Sequence, residues 1–279
     1  MSGLKCGGYI IDSTDSRNKL KAIPAFFIQG HRHSLPPSNL SAFVPEPCMS
    51  AATLHYIYDP LCGWCYGAKP LVQAAQAVLP VVAHGGGMMT GRNCQQVSPQ
   101  LRDYVMPHDR RIAEYTGQPF GEAYFEGLLR DHSAVFDSAP PIAAVLAAQA
   151  LAGRGLELLG RLQTAHYVEG RRIADVDVLL ELAEGLGFER GEFEEAFEYA
   201  AANSLDEHIK ASRALLARVG GQGFPTLVLE QDGQFRLIDI SPWLGKPQAF
   251  ADWLSEAFGT PEVELSPSLQ ACGLDGCAL

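Results

Sequence analysis

Cys62 and Cys65 are separated by two residues in a Cys-Gly-Trp-Cys segment. Thiols at this spacing can form a reversible disulfide, or they can supply two of the four sulfur ligands of a zinc ion. A short apolar, β-favouring run at 54–58 precedes the pair, and a run rich in Ala, Leu, Val and Gln at 66–79 follows it. The sequence therefore predicts that the pair lies between a buried strand and the first turn of a helix.

A helix N-terminus suits thiol chemistry because its free N–H groups and the helix dipole stabilise a thiolate. Cys62 lies nearer the predicted helix start, so we expect it to be the more exposed and more acidic thiol, which attacks a disulfide. Cys65, one turn further in, is expected to resolve the mixed disulfide. Gly63 and Trp64 are predicted to bind substrate and to set the stability of the thiolate and the disulfide.

A second pair, Cys272 and Cys277, has four residues between its members and follows the last predicted helix. It could complete a four-cysteine zinc site with Cys62 and Cys65. The longer spacing and the apolar helix after the first pair favour redox use instead, and no metal is expected. We expect the second pair to be an auxiliary dithiol that exchanges electrons with the first. Two free thiols without a role are the alternative.

The composition narrows the classes of function. Lys and Arg number 21 against 32 Asp and Glu, a formal charge of -11, which disfavours nucleic-acid binding because that affinity comes from phosphate contacts. No apolar run approaches the roughly 18 residues of a membrane span. The N-terminus lacks a secretory signal pattern, so we expect a cytoplasmic location, where thiols stay reduced and the seven cysteines are not a disulfide framework.

The chain divides by pattern into a disordered extension, a sheet and a helical block. Residues 1–50 mix Gly, Ser, Pro and His without periodicity and are predicted to be disordered, with Met49 a candidate start. Apolar positions at three- and four-residue intervals predict that about 98–219 is almost entirely helical, within a block at roughly 91–219. A β-hairpin turning at Asp232-Gly233 and an amphipathic helix follow. This order predicts an α/β fold with a helical insertion.

These features resemble the thioredoxin superfamily and, within it, the DsbA-like branch that carries a helical insertion, with the FrnE-like group most similar. The resemblance covers roughly 54–260. It rests on the segment DPLCGWCYGAKP, on Pro70 eight residues after the first cysteine, and on the segment GFPT, whose Pro225 matches the family's cis-proline. It implies that Phe224 and Pro225 bind substrate, with the backbone of Phe224 pairing with an extended substrate strand.

The resemblance also implies an architecture and an activity. The thioredoxin fold is expected to be discontinuous, formed by 51–90 and 220–262, with the all-helical insertion at 91–219 and a tail at 263–279. The implied enzyme is a protein-disulfide oxidoreductase or isomerase. Its expected partners are proteins with disulfides or thiols, and glutathione as a thiol substrate, without a bound cofactor.

One position departs from the family pattern. Many members bury a carboxylate six residues before the first cysteine, whereas this chain has Tyr56 there, which leaves open how the proton of the resolving thiol is handled. Asp59 or a water could replace the carboxylate, but Asp59 precedes Pro60, and ordinary turn chemistry accounts for it at least as well. We interpret His55 as a histidine of the sheet rather than a catalyst.

Two other classes of function are open. Kappa-type glutathione transferases and 2-hydroxychromene-2-carboxylate isomerases resemble the same fold, but they hold glutathione at the cis-proline and replace the nucleophilic cysteine by serine. The presence of both cysteines favours dithiol chemistry. A redox-independent chaperone or binding module predicts that changing both cysteines to serine leaves function intact. The sequence does not indicate the direction of electron flow, the physiological substrate or the oligomeric state.

Overall fold

The computed structural model describes residues 52–258. The chain begins with strand β1 (Thr53–Tyr58), helix α1 (Gly63–Gln76) and strand β2 (Val81–Gly85), and it ends with strands β5 (Thr226–Gln231) and β6 (Gln234–Ile238) and helix α8 (Pro247–Phe258). The four strands form one sheet in the order β2-β1-β5-β6. β1 runs parallel to β2 and antiparallel to β5, and β6 is antiparallel to β5.

The register of the sheet brings three loops to one edge. Tyr58, the last residue of β1, lies opposite Gly85 at the end of β2, and Ile57 lies opposite Thr226 at the start of β5. The segment that leads to the two cysteines, the glycine-rich loop after β2 and the loop before β5 therefore meet there. Four of the six residues of β1 are buried, as its apolar composition predicts, which suits a central strand.

The β5–β6 hairpin turns where the sequence predicts. Asp232 and Gly233 both have positive φ, 52° and 72°. Two such residues form the type of turn whose twist matches a two-residue hairpin loop, and Gly and Asp tolerate this backbone region better than most residues. The turn therefore fixes the register of β5 against β6, in which Gln231 pairs with Gln234.

The segment between β2 and β5 is mostly helical, in agreement with the predicted helical insertion in an α/β fold. Its helix α3 is rich in alanine, half of its 14 residues are buried, and it packs against α4 and α6. A two-stranded sheet of β3 and β4, which the sequence did not indicate, adds to the helices. The elements are β3 (Gln95–Gln96), α2 (Pro99–Thr116), β4 (Val135–Phe136), α3 (Ala139–Ala152), α4 (Gly155–Tyr167), α5 (Val176–Gly185), α6 (Arg190–Asn203) and α7 (Leu205–Arg218).

An aromatic cluster joins the insertion to α1. The rings of Tyr66 and Tyr167 stack with centroids 4.9 Å apart, and Phe120 packs edge-on against both at 5.3 Å. The Tyr66 hydroxyl donates to the Pro119 carbonyl oxygen at 2.9 Å. Buried aromatic pairs of this kind add to the free energy gained from burial alone, so the first turn of α1 and the insertion pack as one core.

Some of the predicted segments lie outside the described residues. These are the extension at 1–50 with its candidate start at Met49, and the tail at 263–279. The boundaries assigned to the discontinuous domain stay predictions. Within 52–258, none of the helices is both long and apolar enough to cross a lipid bilayer.

Candidate active site

The two cysteines lie at the start of α1. Cys62 is the N-cap residue, with extended backbone angles, and its carbonyl oxygen accepts hydrogen bonds from the N–H groups of Cys65 and Tyr66 at 3.0 and 3.1 Å. Cys62 is 8% exposed, whereas Cys65 is fully buried. The order of exposure matches the prediction from the sequence, although Cys62 is itself largely covered. A disulfide partner can therefore approach Cys62 but not Cys65.

The environment of Cys65 favours its protonated form. Burial, and next the neighbouring Cys62 thiol, raise the pKa of Cys65 well above its usual range, and the charge of Asp59 acts in the same direction. The backbone N–H of Asp59 opposes this effect by donating to the Cys65 sulfur at 3.4 Å. Because a thiol attacks only as thiolate, Cys65 is held unreactive until the environment changes.

The loop before β5 lies against Cys62. The Phe224–Pro225 peptide bond is cis, which confirms the prediction for Pro225. The Cys62 thiol donates to the Phe224 carbonyl oxygen at 3.4 Å. Trp64 is partly buried and packs edge-on against Tyr115 at 6.4 Å. The predicted substrate-binding residues thus surround Cys62, and their part in binding stays a prediction.

The glycine-rich loop after β2 supports Phe224. A Cβ on Gly86 would overlap the Phe224 ring, so only glycine permits this close approach. Arg213 of α7 donates to the carbonyl oxygens of Gly86, at 2.7 Å, and Gly87. The insertion therefore holds the loop on which the cis-proline segment packs.

Asp59 has a larger role than the turn chemistry assigned to it. The Leu61 N–H donates to its Oδ1 at 2.9 Å, which is the expected turn bond. The same oxygen accepts from the Ser138 hydroxyl at 2.9 Å, and Oδ2 accepts from the Met88 N–H at 2.5 Å. Burial raises the pKa of Asp59 against the effect of these three donors. The carboxyl thus joins the cysteine loop to the glycine-rich loop and to α3.

Tyr56, at the position where many relatives have a carboxylate, is a neutral donor. Its hydroxyl donates to the Cys65 carbonyl oxygen at 3.1 Å. Burial, and then the two cysteines, raise the pKa of Tyr56 well above its usual range. A phenol in this state cannot take a proton from the resolving thiol. Asp59, three residues later, carries a carboxyl group, and its backbone N–H contacts the Cys65 sulfur.

His55 belongs to a polar network of the sheet. Its Nδ1 lies 2.9 Å from Nε2 of His84, and its Nε2 lies 2.8 Å from a carboxylate oxygen of Glu230. These contacts link β1, β2 and β5, which favours the interpretation of His55 as a sheet residue. Burial, followed by the charges of His55 and His208, lowers the pKa of His84 to about 4.

A cavity of about 170 Å³ opens beside Cys62, between the start of α1 and the insertion. Two titratable residues that the sequence analysis did not identify, Asp109 and His166, line it, and both are almost fully buried. A signal for Asp109 was present, because it lies on the buried stripe of α2 between Leu101 and Ile112, where an apolar residue is expected. His166 had a comparable signal, because it continues the buried stripe of Leu158 and Leu162 on α4 at four-residue spacing.

Acid is expected to destabilise the protein through His166. Burial among the rings of Tyr124, Phe136 and Tyr167 lowers its pKa to about 3 from 6.5. The unfolded chain therefore binds a proton that the folded chain excludes, so this contribution to the free energy of unfolding is lost as the pH falls below 6.5. Between pH 7 and pH 5 the loss amounts to about 2 kcal/mol.

Denaturant unfolding of the wild type and His166→Gln at both pH values measures this effect. The variant should be less stable than the wild type at pH 7, and the difference should shrink at pH 5. Equal pH dependence in the two proteins would contradict the assignment.

The second cysteine pair is the predicted auxiliary dithiol, with a four-cysteine zinc site as the alternative use. Cys272 and Cys277 lie outside the described residues, so the auxiliary dithiol stays a proposal. Within 52–258, no group of three or more His, Cys, Asp or Glu side chains is arranged to hold a metal ion.

Comparison with known proteins places this arrangement in a family. The model of the DSBA-like thioredoxin domain matches residues 53–245. A cytosolic disulfide reductase, DsbM from Pseudomonas aeruginosa, is 58% identical over 73% of this chain and 97% of its own, with a TM-score of 0.69. A structure of the same reductase with GSH gives 55% identity over 73% and 98% of the two chains, with a TM-score of 0.68.

A more distant structure has the same fold. It is a candidate protein disulfide isomerase from Nitrosomonas europaea, 27% identical over 74% of this chain and 96% of that one, with a TM-score of 0.60. A search of curated protein sequences gives no match. From the family match, the identity to DsbM and the paired thiols at the start of α1, the chain belongs to the DsbA-like thioredoxin-domain family of thiol–disulfide oxidoreductases.

Proposed function

We propose that this oxidoreductase is a disulfide reductase, in which Cys62 attacks the substrate, Cys65 resolves the mixed disulfide and glutathione restores the two thiols. The observation that carries the proposal is the asymmetry of the pair. Cys62 is 8% exposed and lies against the cis-proline loop, whereas Cys65 is fully buried and its pKa is raised. This asymmetry suits Cys62 to react first with a substrate disulfide and Cys65 to react only after Cys62 has done so.

The electrons balance over two exchange steps. The Cys62 thiolate bonds to one sulfur of the substrate disulfide, and the other substrate sulfur leaves. Cys65 then loses its proton and attacks the Cys62 sulfur, which releases the second substrate sulfur as a thiolate. The substrate disulfide gains two electrons and two protons to become two thiols, and the enzyme loses both in forming the Cys62–Cys65 disulfide.

Formation of the mixed disulfide also frees an acceptor for the substrate. In the reduced protein the Phe224 carbonyl oxygen accepts from the Cys62 thiol. That donor is lost once the sulfur is bonded to substrate, so the carbonyl can accept from a backbone N–H of an extended polypeptide. Pairing through the main chain recognises peptides without selecting their sequence, as a reductase of many protein disulfides requires.

Glutathione is the proposed reducing partner. One glutathione thiolate attacks the oxidised pair at Cys62 and frees Cys65, and a second attacks the glutathione sulfur, releasing Cys62 and glutathione disulfide. The identity to a reductase described as cytosolic, and the structure of that reductase with GSH, support both this partner and a cytosolic location. Glutathione would act as a substrate rather than a resident cofactor.

The reduction potential of the Cys62–Cys65 couple tests the direction of electron flow. A reductase should have a potential near that of thioredoxin, about -270 mV, and an oxidant one near about -120 mV. The fraction of oxidised protein is measured by thiol alkylation across a series of glutathione buffers.

Insulin reduction provides the companion assay. Turnover should depend on both the enzyme and glutathione, with omission of either as the control. A potential well above that of the glutathione pool, together with no glutathione-dependent turnover, would overturn the assignment as a reductase.

A further inference from the structure

The carboxyl of Asp109 is placed at the reacting pair by the helical insertion. If Gly63 had a Cβ, that atom would lie 2.5 Å from Oδ1 of Asp109 and 2.9 Å from the Ile112 side chain. The carboxyl therefore packs directly on the residue that follows Cys62. Glycine at position 63 is what allows this approach. Asp109 and Cys62 also line the same cavity, so a disulfide that binds there to react with Cys62 meets the carboxyl of Asp109 as well.

The surroundings of Asp109 are not those of a structural ion pair. Its side chain is 4% exposed, and the hydrogen bond it accepts comes from the Tyr124 hydroxyl, at 2.8 Å to Oδ2. The adjacent arginines of α2 face aromatic rings, Arg110 over Phe125 at 5.7 Å and Arg111 over Tyr115 at 5.3 Å. Within residues 52–258, no Lys or Arg forms an ion pair with Asp109. A buried carboxyl without such a partner is costly, and such a group beside a nucleophile points to function rather than stability.

We propose that Asp109 is a catalytic acid of the exchange reaction, which protonates the sulfur that leaves when Cys62 attacks a disulfide bound in the adjoining cavity. The proposal rests on the proposed function and adds a residue to it. The S–S bond of the substrate breaks as the bond to Cys62 forms, and the proton of the Asp109 carboxyl passes to the leaving sulfur. The two cysteines release their protons to water during the reaction. The Asp109 carboxylate then takes a proton back from water.

Titration of the site agrees with this role. Burial raises the pKa of Asp109 to about 7, against the effects of the Tyr124 hydroxyl and the charge of His108. The group is thus poised between acid and base near neutral pH, where general acid catalysis is most effective. Among its other neighbours around the cavity, burial keeps Tyr124 and Tyr167 protonated and His166 neutral, and Cys62, Tyr104 and His108 are the remaining titratable side chains that line it.

A series of leaving groups tests the proposal. Asp109→Asn keeps the shape and an acceptor for Tyr124 but removes the acidic proton. Alkyl disulfides release a basic thiolate and need an acid, whereas nitro-substituted aromatic disulfides release a stable thiolate and do not. We expect the variant to lose about 100-fold in kcat/KM on the alkyl disulfide and little on the aromatic one. Asp103→Asn removes an exposed carboxyl from the same helix and is the matched control.

The pH profile provides an independent measurement. On the alkyl disulfide the wild type should lose activity as the pH rises through about 7, where Asp109 gives up its proton, and Asp109→Asn should lack this limb. Tyr124→Phe keeps the carboxyl and removes a bond that lowers its pKa, so the limb should move to higher pH. This second variant tests the proposal even if Asp109→Asn does not fold.

The outcomes separate this inference from the reductase assignment. A wild type that reduces disulfides, with an Asp109→Asn variant that is equally active or equally impaired on both substrates, overturns the role of Asp109 alone. So does a Tyr124→Phe profile that does not move. A wild type without any disulfide-reducing activity overturns the proposed function instead.

Discussion

Cys62→Ser should lower disulfide-reducing turnover by about 1,000-fold or more, to the background of the uncatalysed reaction. A hydroxyl cannot form a disulfide, and Cys65 is too buried to replace Cys62 as the attacking group. Insulin reduction with glutathione measures the loss. Cys94→Ser is the matched control, because Cys94 is the free cysteine of the described residues that lies outside the Cys62–Cys65 pair. We expect that variant to keep full activity.

Cys65→Ser should show a different defect. In the absence of glutathione, Cys62 can still attack but has no second cysteine to resolve the mixed disulfide, so the substrate stays attached to Cys62. We expect a single turnover followed by a stall, with the adduct seen by mass spectrometry and released by a strong reductant. A Cys65→Ser protein that is fully active without a trapped adduct would show that the two-thiol mechanism is wrong.

Asp59→Ala should cost about 3 kcal/mol in the free energy of unfolding, one of the largest effects expected of a single substitution. The change leaves the N–H groups of Leu61 and Met88 and the hydroxyl of Ser138 without their acceptor in a buried site. Each unsatisfied donor costs about 1–3 kcal/mol, partly offset by removal of a buried carboxylate. Denaturant unfolding at pH 7 measures the change.

Two variants separate this effect from the loss of any carboxyl. Ser138→Ala removes one of the three donors to Asp59 and also the acceptor of the Met89 N–H, so its cost should be about 1–2 kcal/mol. Asp103→Ala removes an exposed carboxyl and should stay within about 0.5 kcal/mol of the wild type. If Asp59→Ala unfolds at the wild-type denaturant concentration, the carboxyl does not hold the loops together.

The sequence was sufficient for the local structure around the cysteines. An apolar run before Cys62, helix-forming residues after Cys65 and the turn residues Asp232-Gly233 each specify their own backbone over a few residues. Such signals are local because hydrophobic period and turn chemistry depend on neighbours in the chain. The resemblance of the segments around Cys62 and Pro225 to known redox proteins supplied the fold and the cis bond.

Only the tertiary structure decided what surrounds the thiols. Asp59 accepts from Met88, 29 residues away, and from Ser138, 79 residues away, so its role cannot be read from the turn that it also forms. Asp109 appeared in the sequence as one polar residue on an apolar stripe of a helix, and its contact with Gly63 depends on how the insertion packs on α1. Periodicity shows which face of a helix is buried, whereas the groups that this face meets depend on contacts between residues distant in the chain.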